Sequence, residues 1–335
     1  NFSSAKIIDS DLAAIVMARV RQGKIHLSDS GGRMLGSGSG FLLQPRSGRL
    51  LKLDGVSYRG ALEVFINPVK KPVIVNDLDL ETYLRGVVPD ELNPTAHPHL
   101  QAIKAQTVAA RTFALSNLGL NARKGFDLYS DQRSQTYRGR RSEQILSDRA
   151  VKETRGVVAV YRKKPIVAFY SSTCGGLTES YHDIFQKPEI PYLRGGAKCP
   201  DQDSPFRSWK SRISVADLQQ TLDRMGVGRL KKLVPVRKSR HGRIVEMKFV
   251  GSKGEKVLKG LKIRSALKLR SNWITNLDTR KDKSKYIREI RAEGRGWGHG
   301  VGLCQMGTVK LAQRGWKFER ILKHYYSGIK MDRRW

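Results

Sequence analysis

Glu91 sits in the stretch RGVVPDELNP, with Val87, Val88 and Pro89 before it and Leu92 after it, just ahead of a segment with helical periodicity. A carboxylate wedged among valine, proline and leucine loses hydration, which raises its pKa and leaves it partly protonated near neutral pH, the state a general acid requires. The same residue can instead flank the next helix with its oxygens in water, and residue types alone leave both readings open. On that following segment Lys104 and Arg111 are seven residues apart, nearly two helical turns, so they share one flank. Such a flank can hold the polar groups of a polymer or face solvent.

The second constellation is GRGWGHGVGLCQMG, in which glycines at 294, 296, 298, 300 and 302 alternate with Arg295, Trp297, His299 and Val301. Glycine at every second position permits backbone angles that other residues avoid, or the close approach of another segment. A phosphate-binding loop would end in Lys-Ser/Thr, which is missing, and the run begins before any nucleotide-binding βαβ unit. His299 fits a base or ligand as well as it fits a hydrogen-bonded loop residue. Three cysteines, Cys174, Cys199 and Cys304, are too few for a disulfide scaffold, and no CxxC pair marks a structural zinc knuckle. One bridge plus one free thiol, or three reduced thiols, are both open.

The elements that must position these residues follow from pattern. Residues 12–76 show short period-two or apolar runs punctuated by Gly31-Gly32, Gly36, Gly38, Gly40 and Asp54-Gly55, which reads as an all-β lead-in. From Leu78 the period changes. DLETYLRGVV predicts a short helix that Pro89 and Pro94 break. HPHLQAIKAQTVAARTFALSNLG predicts a helix of about five turns, with Pro98 in its first turn and Gly119 at its C-terminal stop. Leu100, Ile103, Val108, Thr112, Leu115 and Leu118 mark its buried stripe. Residues 151–173 alternate as strands with a hairpin tip at Lys164-Pro165. Between 207 and 275 the chain reads as a helix opened by Ser214, then two strands joined at His241-Gly242, an αββ insertion able to bury a small core.

Composition limits the partners. The 335-residue chain has 63 Lys+Arg against 30 Asp+Glu, a net charge of +33, and such a surface attracts nucleic acid, an anionic membrane or an acidic wall polymer. No recognised nucleic-acid motif or aromatic platform lies among the basic residues, so no nucleic-acid partner is expected. No run of 18 apolar residues exists to span a membrane as a helix. The chain begins at Asn1 without a charged n-region or apolar h-region, as a mature or trimmed form would.

Four stretches in order, YLRGVVPDEL with HLQAIKAQTVAARTFAL, STCGGLTES, and GRGWGHGVGLCQMGTVKLAQRGWKFERILKHYYSGI, closely resemble the SpoIID/LytB family, named for stage II sporulation protein D. The resemblance covers roughly residues 76–205 and 276–335, and the 207–275 segment is similar to an insertion seen in many members. It implies an α+β fold: a β-rich N-terminal region over 1–75, a SpoIID-type catalytic domain over 76–206 and 276–335, and an αββ insertion subdomain over 207–275.

The family's sporulation members are lytic transglycosylases that cut peptidoglycan between N-acetylmuramic acid and N-acetylglucosamine, preferring strands stripped of stem peptides. Their acid is the glutamate of the VVxxE element, which here is Glu91. One carboxylate is enough because the muramic C6 hydroxyl, not an activated water, closes onto C1, unlike the paired scheme of ordinary glycosidases. The resemblance further implies that Lys104, Arg111, Tyr137, Ser172, Thr173, His299 and Tyr325 or Tyr326 line the glycan cleft; each tyrosine fits core packing equally well.

No cofactor is implied. Some relatives carry cysteine and histidine in the segment matching LYSDQRSQTYRG, but here Ser130, Arg133 and Ser134 stand there, so no zinc site is expected in it. Cys174, His182 and Cys199 are loosely spaced metal donors; a Cys174–Cys199 disulfide is equally permitted, and the extracytoplasmic location that the family implies, periplasm or cell wall, favours it. The expected partners are peptidoglycan glycan strands and anionic wall polymers. A cell-wall amidase is a further candidate, because some relatives are named amidase enhancers.

Overall fold

The computed structural model describes residues 4–9, 15–45 and 49–335, and the fold is α+β. The chain divides into two compact units, residues 1–158 with 332–335, and residues 159–331.

Among the described residues the first unit opens with nine strands: β1 (Ser4–Asp9), β2 (Ile15–Arg21), β3 (Lys24–Ser28), β4 (Met34–Gly38), β5 (Gly40–Leu43), β6 (Leu51–Leu53), β7 (Val56–Tyr58), β8 (Ala61–Ile66) and β9 (Pro72–Asp77). They form a six-stranded sheet in the order β4-β3-β2-β1-β6-β7 and a three-stranded sheet in the order β5-β8-β9. Period-two patterning puts Ala18, Ile25, Leu27, Leu51, Leu62 and Val64 on inward faces, where they share one core. Asp54-Gly55 makes the β6–β7 turn, both residues with positive φ. Gly36 and Gly38, which read as turn residues, lie inside β4; the Phe41 ring covers Gly36 so closely that a Cβ there would meet it at 2.9 Å. Ala13 and Ala14 of the AAIVMARV run lie outside the described residues.

Helix α1 spans Leu80–Glu91, capped by the Asp79 carboxylate, which accepts the Thr82 N–H at 3.1 Å. It continues through Pro89, whose missing N–H costs one hydrogen bond close to the end, and stops two residues later. Helix α2 spans Leu100–Asn117, and Gly119 follows its cap with φ +75°, as a C-terminal stop requires. Its burial is wider than one stripe. Ala102, Ala105, Ala109, Ala110 and Ala114 are buried on several sides, and their small side chains let neighbours pack close. Leu118, by contrast, is exposed. Helix α3 (Ile145–Glu153) packs on α1 and α2.

Strand β10 (Val157–Tyr161) carries the chain into the second unit. Its hairpin with β11 (Lys164–Pro165) turns at Arg162-Lys163, both with positive φ, while Pro165 lies in the strand opposite Val160. A two-residue turn of that hand matches strand twist, which is why the tip precedes Lys164-Pro165. Then follow β12 (Tyr170–Ser171), α4 (Tyr181–Phe185), β13 (Ser208–Ser214), α5 (Gln219–Arg224), β14 (Leu230–Lys238), β15 (Ile244–Gly251), β16 (Glu255–Lys259), α6 (Leu261–Ala266), β17 (Ile274–Lys281), β18 (Ile287–Arg295), β19 (Leu303–Cys304), α7 (Gln305–Gln313), α8 (Phe318–Tyr325) and β20 (Lys330–Arg333).

Ser214 ends β13, and a 3-10 turn separates it from α5. The sheets β14-β15-β16 and β13-β18-β17 share one core that includes Trp209, Leu222, Met247, Phe249, Ile263, Ile274 and Ile290. That core reaches Ala292, so β17 and β18 complete what the 207–275 segment begins. Among the described residues no helix is long and apolar enough to cross a membrane.

Candidate functional site

Glu91 is the last residue of α1, at the electronegative end of the helix, the end where carboxylates are normally avoided. Leu84, Val87, Val88 and Leu92 around it are fully buried or nearly so, whereas Glu91 itself is half-buried. Its Oε1 accepts the Thr136 backbone N–H at 2.8 Å, which fixes the carboxylate's direction. Tyr83 lies two turns earlier on the same face. Burial, and then the charge of Glu91, push the Tyr83 phenol well above its ordinary pKa, so it stays protonated, and its hydroxyl donates to Gln135 Oε1 at 3.2 Å.

The adjacent Asp90 faces other partners: Ser142 Oγ donates to its Oδ2 at 2.8 Å, and Arg138 is 3.9 Å away. Two neighbouring carboxylates are thus separated in role by the segment that crosses them. That segment, residues 129–143, is pinned by Glu143, which pairs with Arg59 and Arg85 at 2.6 and 3.0 Å. Next to the Thr136–Glu91 contact it leaves an open cleft of about 560 Å³ lined by Ser130, Asp131, Gln132, Arg133, Thr136 and Arg138. Arg133 is largely exposed there, pairs with Asp131 at 2.6 Å and stacks over the Tyr129 ring.

The other expected groove residues of the first unit are placed differently. Arg111 is fully buried. Its Nε and Nη2 bind both oxygens of Glu81, at 3.0 and 2.7 Å, and Nη1 reaches the Val157 carbonyl at 3.1 Å. The sequence places it on a flank with Lys104, but the surroundings of α2 enclose that flank, so Arg111 ties helices together and touches no polymer. Lys104 pairs with Glu153 of α3. Tyr137 donates its hydroxyl to Asn76 Oδ1 at 2.7 Å, and its ring lies over Gly86, where a Cβ would meet it at 2.5 Å. Its ring also packs on Tyr58 and Tyr83, so Tyr137 holds the 129–143 segment onto α1.

In the second unit the glycine run behaves as its spacing indicates: Gly296, Gly298, Gly300 and Gly302 all have positive φ. The run fits tightly, and a Cβ on Gly300 would strike the Arg243 guanidinium at 2.1 Å. Thr173 and Trp297 exchange backbone hydrogen bonds of 3.1 and 2.8 Å across it. Thr173 is fully buried, its hydroxyl 3.1 Å from Ser204 Oγ, while Ser172 beside it is half-buried.

His299 Nδ1 accepts the Val301 N–H at 3.0 Å, the ring packs against Phe169 and Phe185, and a hydrogen bond to the Tyr170 backbone occupies the other side. Burial first, then the charges of Arg264 and Arg243, hold its pKa down at about 4, so it is neutral at pH 7 and built into the loop. Tyr325 and Tyr326 are buried core residues; Tyr326 donates to the Phe169 carbonyl at 2.7 Å. Core packing, not a sugar face, describes both. Thr173 is likewise enclosed, whereas Ser172 and His299 keep partial exposure.

Cys174 and Cys199 are joined as a disulfide with a Cα–Cα distance of 7.0 Å, and Cys304 is buried and unbridged. His182 is not near them in bonding terms: it is exposed, with Nδ1 on the Lys187 carbonyl at 2.7 Å. Burial, and then Asp201, push the Cys304 thiol up to about 12.

Thr136, which holds Glu91, and Arg133 and Arg138, which line the same cleft as Thr136, were not singled out by the sequence as site residues. The signal was the basic run RGRRSEQ together with SDQRSQTYRG, whose closeness to Glu91 depends on a chain crossing 45 residues away.

A family model described as "Stage II sporulation protein" matches residues 69–161, and one described as a domain of unknown function (DUF8618) matches residues 193–302. Stage II sporulation protein D of Bacillus subtilis (strain 168) is 32% identical over 304 residues, 82% of this chain and 82% of that protein. An uncharacterized protein of Brachyspira hyodysenteriae is 32% identical over 291 residues, 83% of this chain and 73% of that one. An amidase enhancer of Bacillus subtilis is 26% identical over 297 residues, 73% of this chain and 39% of that protein. With most of both chains aligned at that identity, and with the motifs around Glu91 and the glycine loop in order, the chain belongs to the SpoIID/LytB family.

Proposed function

We propose that this protein is a peptidoglycan lytic transglycosylase that cleaves the bond between N-acetylmuramic acid and N-acetylglucosamine in peptide-stripped glycan strands, using Glu91 as its single acid and base. The observation that carries this reading is the half-buried Glu91 carboxylate, held at Oε1 by the Thr136 N–H beside an open polar cleft. In this reading the Glu91 carboxyl carries the proton. That proton passes to the glycosidic oxygen as the C1–O bond breaks, and the leaving sugar departs with a new hydroxyl. The Glu91 carboxylate then takes the proton of the muramic C6 hydroxyl while O6 bonds to C1, leaving a 1,6-anhydro end and consuming no water.

The exposed Arg133 and Arg138 at the cleft suit the lactyl carboxylates of stripped strands, and the +33 chain suits a polyanionic wall outside the cytoplasm. Lys104 remains a candidate for contact with the strand. The test is incubation with peptide-free glycan strands: 1,6-anhydro ends, lighter by one water than hydrolysed ends, are expected from wild type and lost in Glu91→Gln. Reducing ends without the anhydro group would make the protein a hydrolase, and full activity in Glu91→Gln would remove Glu91 as the acid.

A second reading, a non-catalytic enhancer of a wall amidase, rests on the relative that bears that name. It would be favoured if folded wild type yields no product yet accelerates an added amidase.

A further inference from the structure

A cluster in the second unit offers metal-ligating chemistry that the Glu91 site does not use. The sulfurs of Cys174, Cys199 and Cys304 lie within 4.8 Å of one another, and all three residues are buried. A fourth donor stands beside two of them. Asp201 is 2% exposed, and its Oδ2 is 3.5 Å from Cys174 Sγ and 3.9 Å from Cys304 Sγ. A zinc ion with Zn–S of about 2.3 Å and Zn–O of about 2.0–2.2 Å spaces tetrahedral ligands about 3.5–3.8 Å apart, close to the distances from Asp201 Oδ2 to Cys174 and Cys304; Cys174 and Cys199, bridged here, would have to separate on reduction.

We propose that the reduced protein binds one Zn²⁺ through Cys174, Cys199, Cys304 and Asp201, in a closed structural site. The surroundings are those of bound thiolates. Cys304 caps α7, and its Sγ accepts the N–H groups of Cys174 and Gly307 at 3.2 and 3.3 Å. Asp201 is oriented as a ligand: its Oδ2 accepts the N–H groups of Gly175 and Gly176 at 2.8 and 3.2 Å, and Oδ1 pairs with Arg207. Three thiolates and a dication add one net negative charge, beside the fully buried Arg243, which donates to the Cys174 carbonyl at 2.5 Å and whose Nε has no partner among the described residues.

Binding would release three thiol protons and tie together three segments distant in sequence, around 174, 199–201 and 304. A Cys174–Cys199 disulfide uses only two of the three sulfurs, and its Cα separation of 7.0 Å is at the outer limit for a bridge. It is the metal-free alternative.

The test uses the full chain purified with a thiol reductant and no chelator. One zinc per chain by elemental analysis is expected. After stripping, titration of the reduced wild type with Co²⁺ should give a thiolate-to-cobalt charge-transfer band and the intense visible bands of a tetrahedral ion. Cys304→Ser should weaken cobalt binding by about 100-fold or more, and Asp201→Asn by about tenfold. Reduced wild type that holds no stoichiometric metal and shows no cobalt bands overturns the proposal without reliance on any variant. So does undiminished cobalt affinity in Cys304→Ser, or recovery of a Cys174–Cys199 peptide from reductant-treated, metal-exposed protein.

Discussion

The end of α1 and the glycine loop at 294–302 are the two places where short motifs concentrate, and they are built in opposite ways. Around Glu91, apolar residues are buried while the carboxylate stays half-buried, tied to Thr136, which lines an open cleft. In the glycine loop the histidine is committed to the chain itself: His299 has both ring nitrogens occupied within the protein, and Gly300 gives its space to Arg243, while Arg295 and Trp297 are exposed. A motif residue therefore presents chemistry only where the surrounding packing leaves it a face. Elsewhere the same kind of residue holds the chain in shape.

The comparison is broken or sharpened by four substitutions or conditions. Glu91→Gln should lower product formation by about 10²–10⁴-fold and leave the unfolding midpoint unchanged, because its size and the Oε1 contact are kept. A large loss of stability would move Glu91 from the cleft group to the scaffold group. Arg111→Met should do the reverse. It strands Glu81 in the core and should cost about 3–5 kcal/mol in a urea titration. A stable, inactive Arg111→Met would restore a direct role in the cleft.

The third concerns pH. His299 has a folded pKa of about 4, below its ordinary 6.5, so the unfolded chain binds more protons between those values. Stability from this group is present above pH 6.5 and lost as pH falls toward 4, on the order of 3 kcal/mol in all. Denaturant titrations across that window in wild type and His299→Phe should diverge; parallel curves would mean the imidazole is not enclosed. The smallest effect is expected from Tyr137→Phe, which leaves Asn76 without one donor and should cost about 1 kcal/mol while activity falls through a looser 129–143 segment. Unchanged activity would separate Tyr137 from the cleft.

Much of the local architecture was legible. Alternation in residues 12–76 signals strands, and a five-turn helix ending before Gly119 follows from periodicity and a residue that tolerates positive φ. The αββ reading of 207–275 was too small. β16 and α6 add to it, and its core closes only with Ile287, Ile290 and Ala292, which no local pattern announces. Pro89 looked like a helix breaker, yet α1 runs two residues past it, because a proline near the end forfeits only one hydrogen bond.

Residue identity and short-range spacing by themselves determined which groups exist and which share a helix face: the carboxylate of Glu91 after Val87 and Val88, the pairing of Lys104 with Arg111 on one flank, and a glycine at every second position from 294 to 302. Tertiary structure alone decided exposure and partners, since those depend on segments far away in the chain. Glu81, 30 residues from Arg111, enclosed that arginine; Thr136, 45 residues from Glu91, aimed the carboxylate; and the approach of Cys304 to Cys174 across 130 residues gathered three sulfurs that no spacing rule connects. Periodicity reports the face on which a side chain lies, whereas desolvation and hydrogen bonding, which give that side chain its chemistry, come from whatever the fold brings against the face.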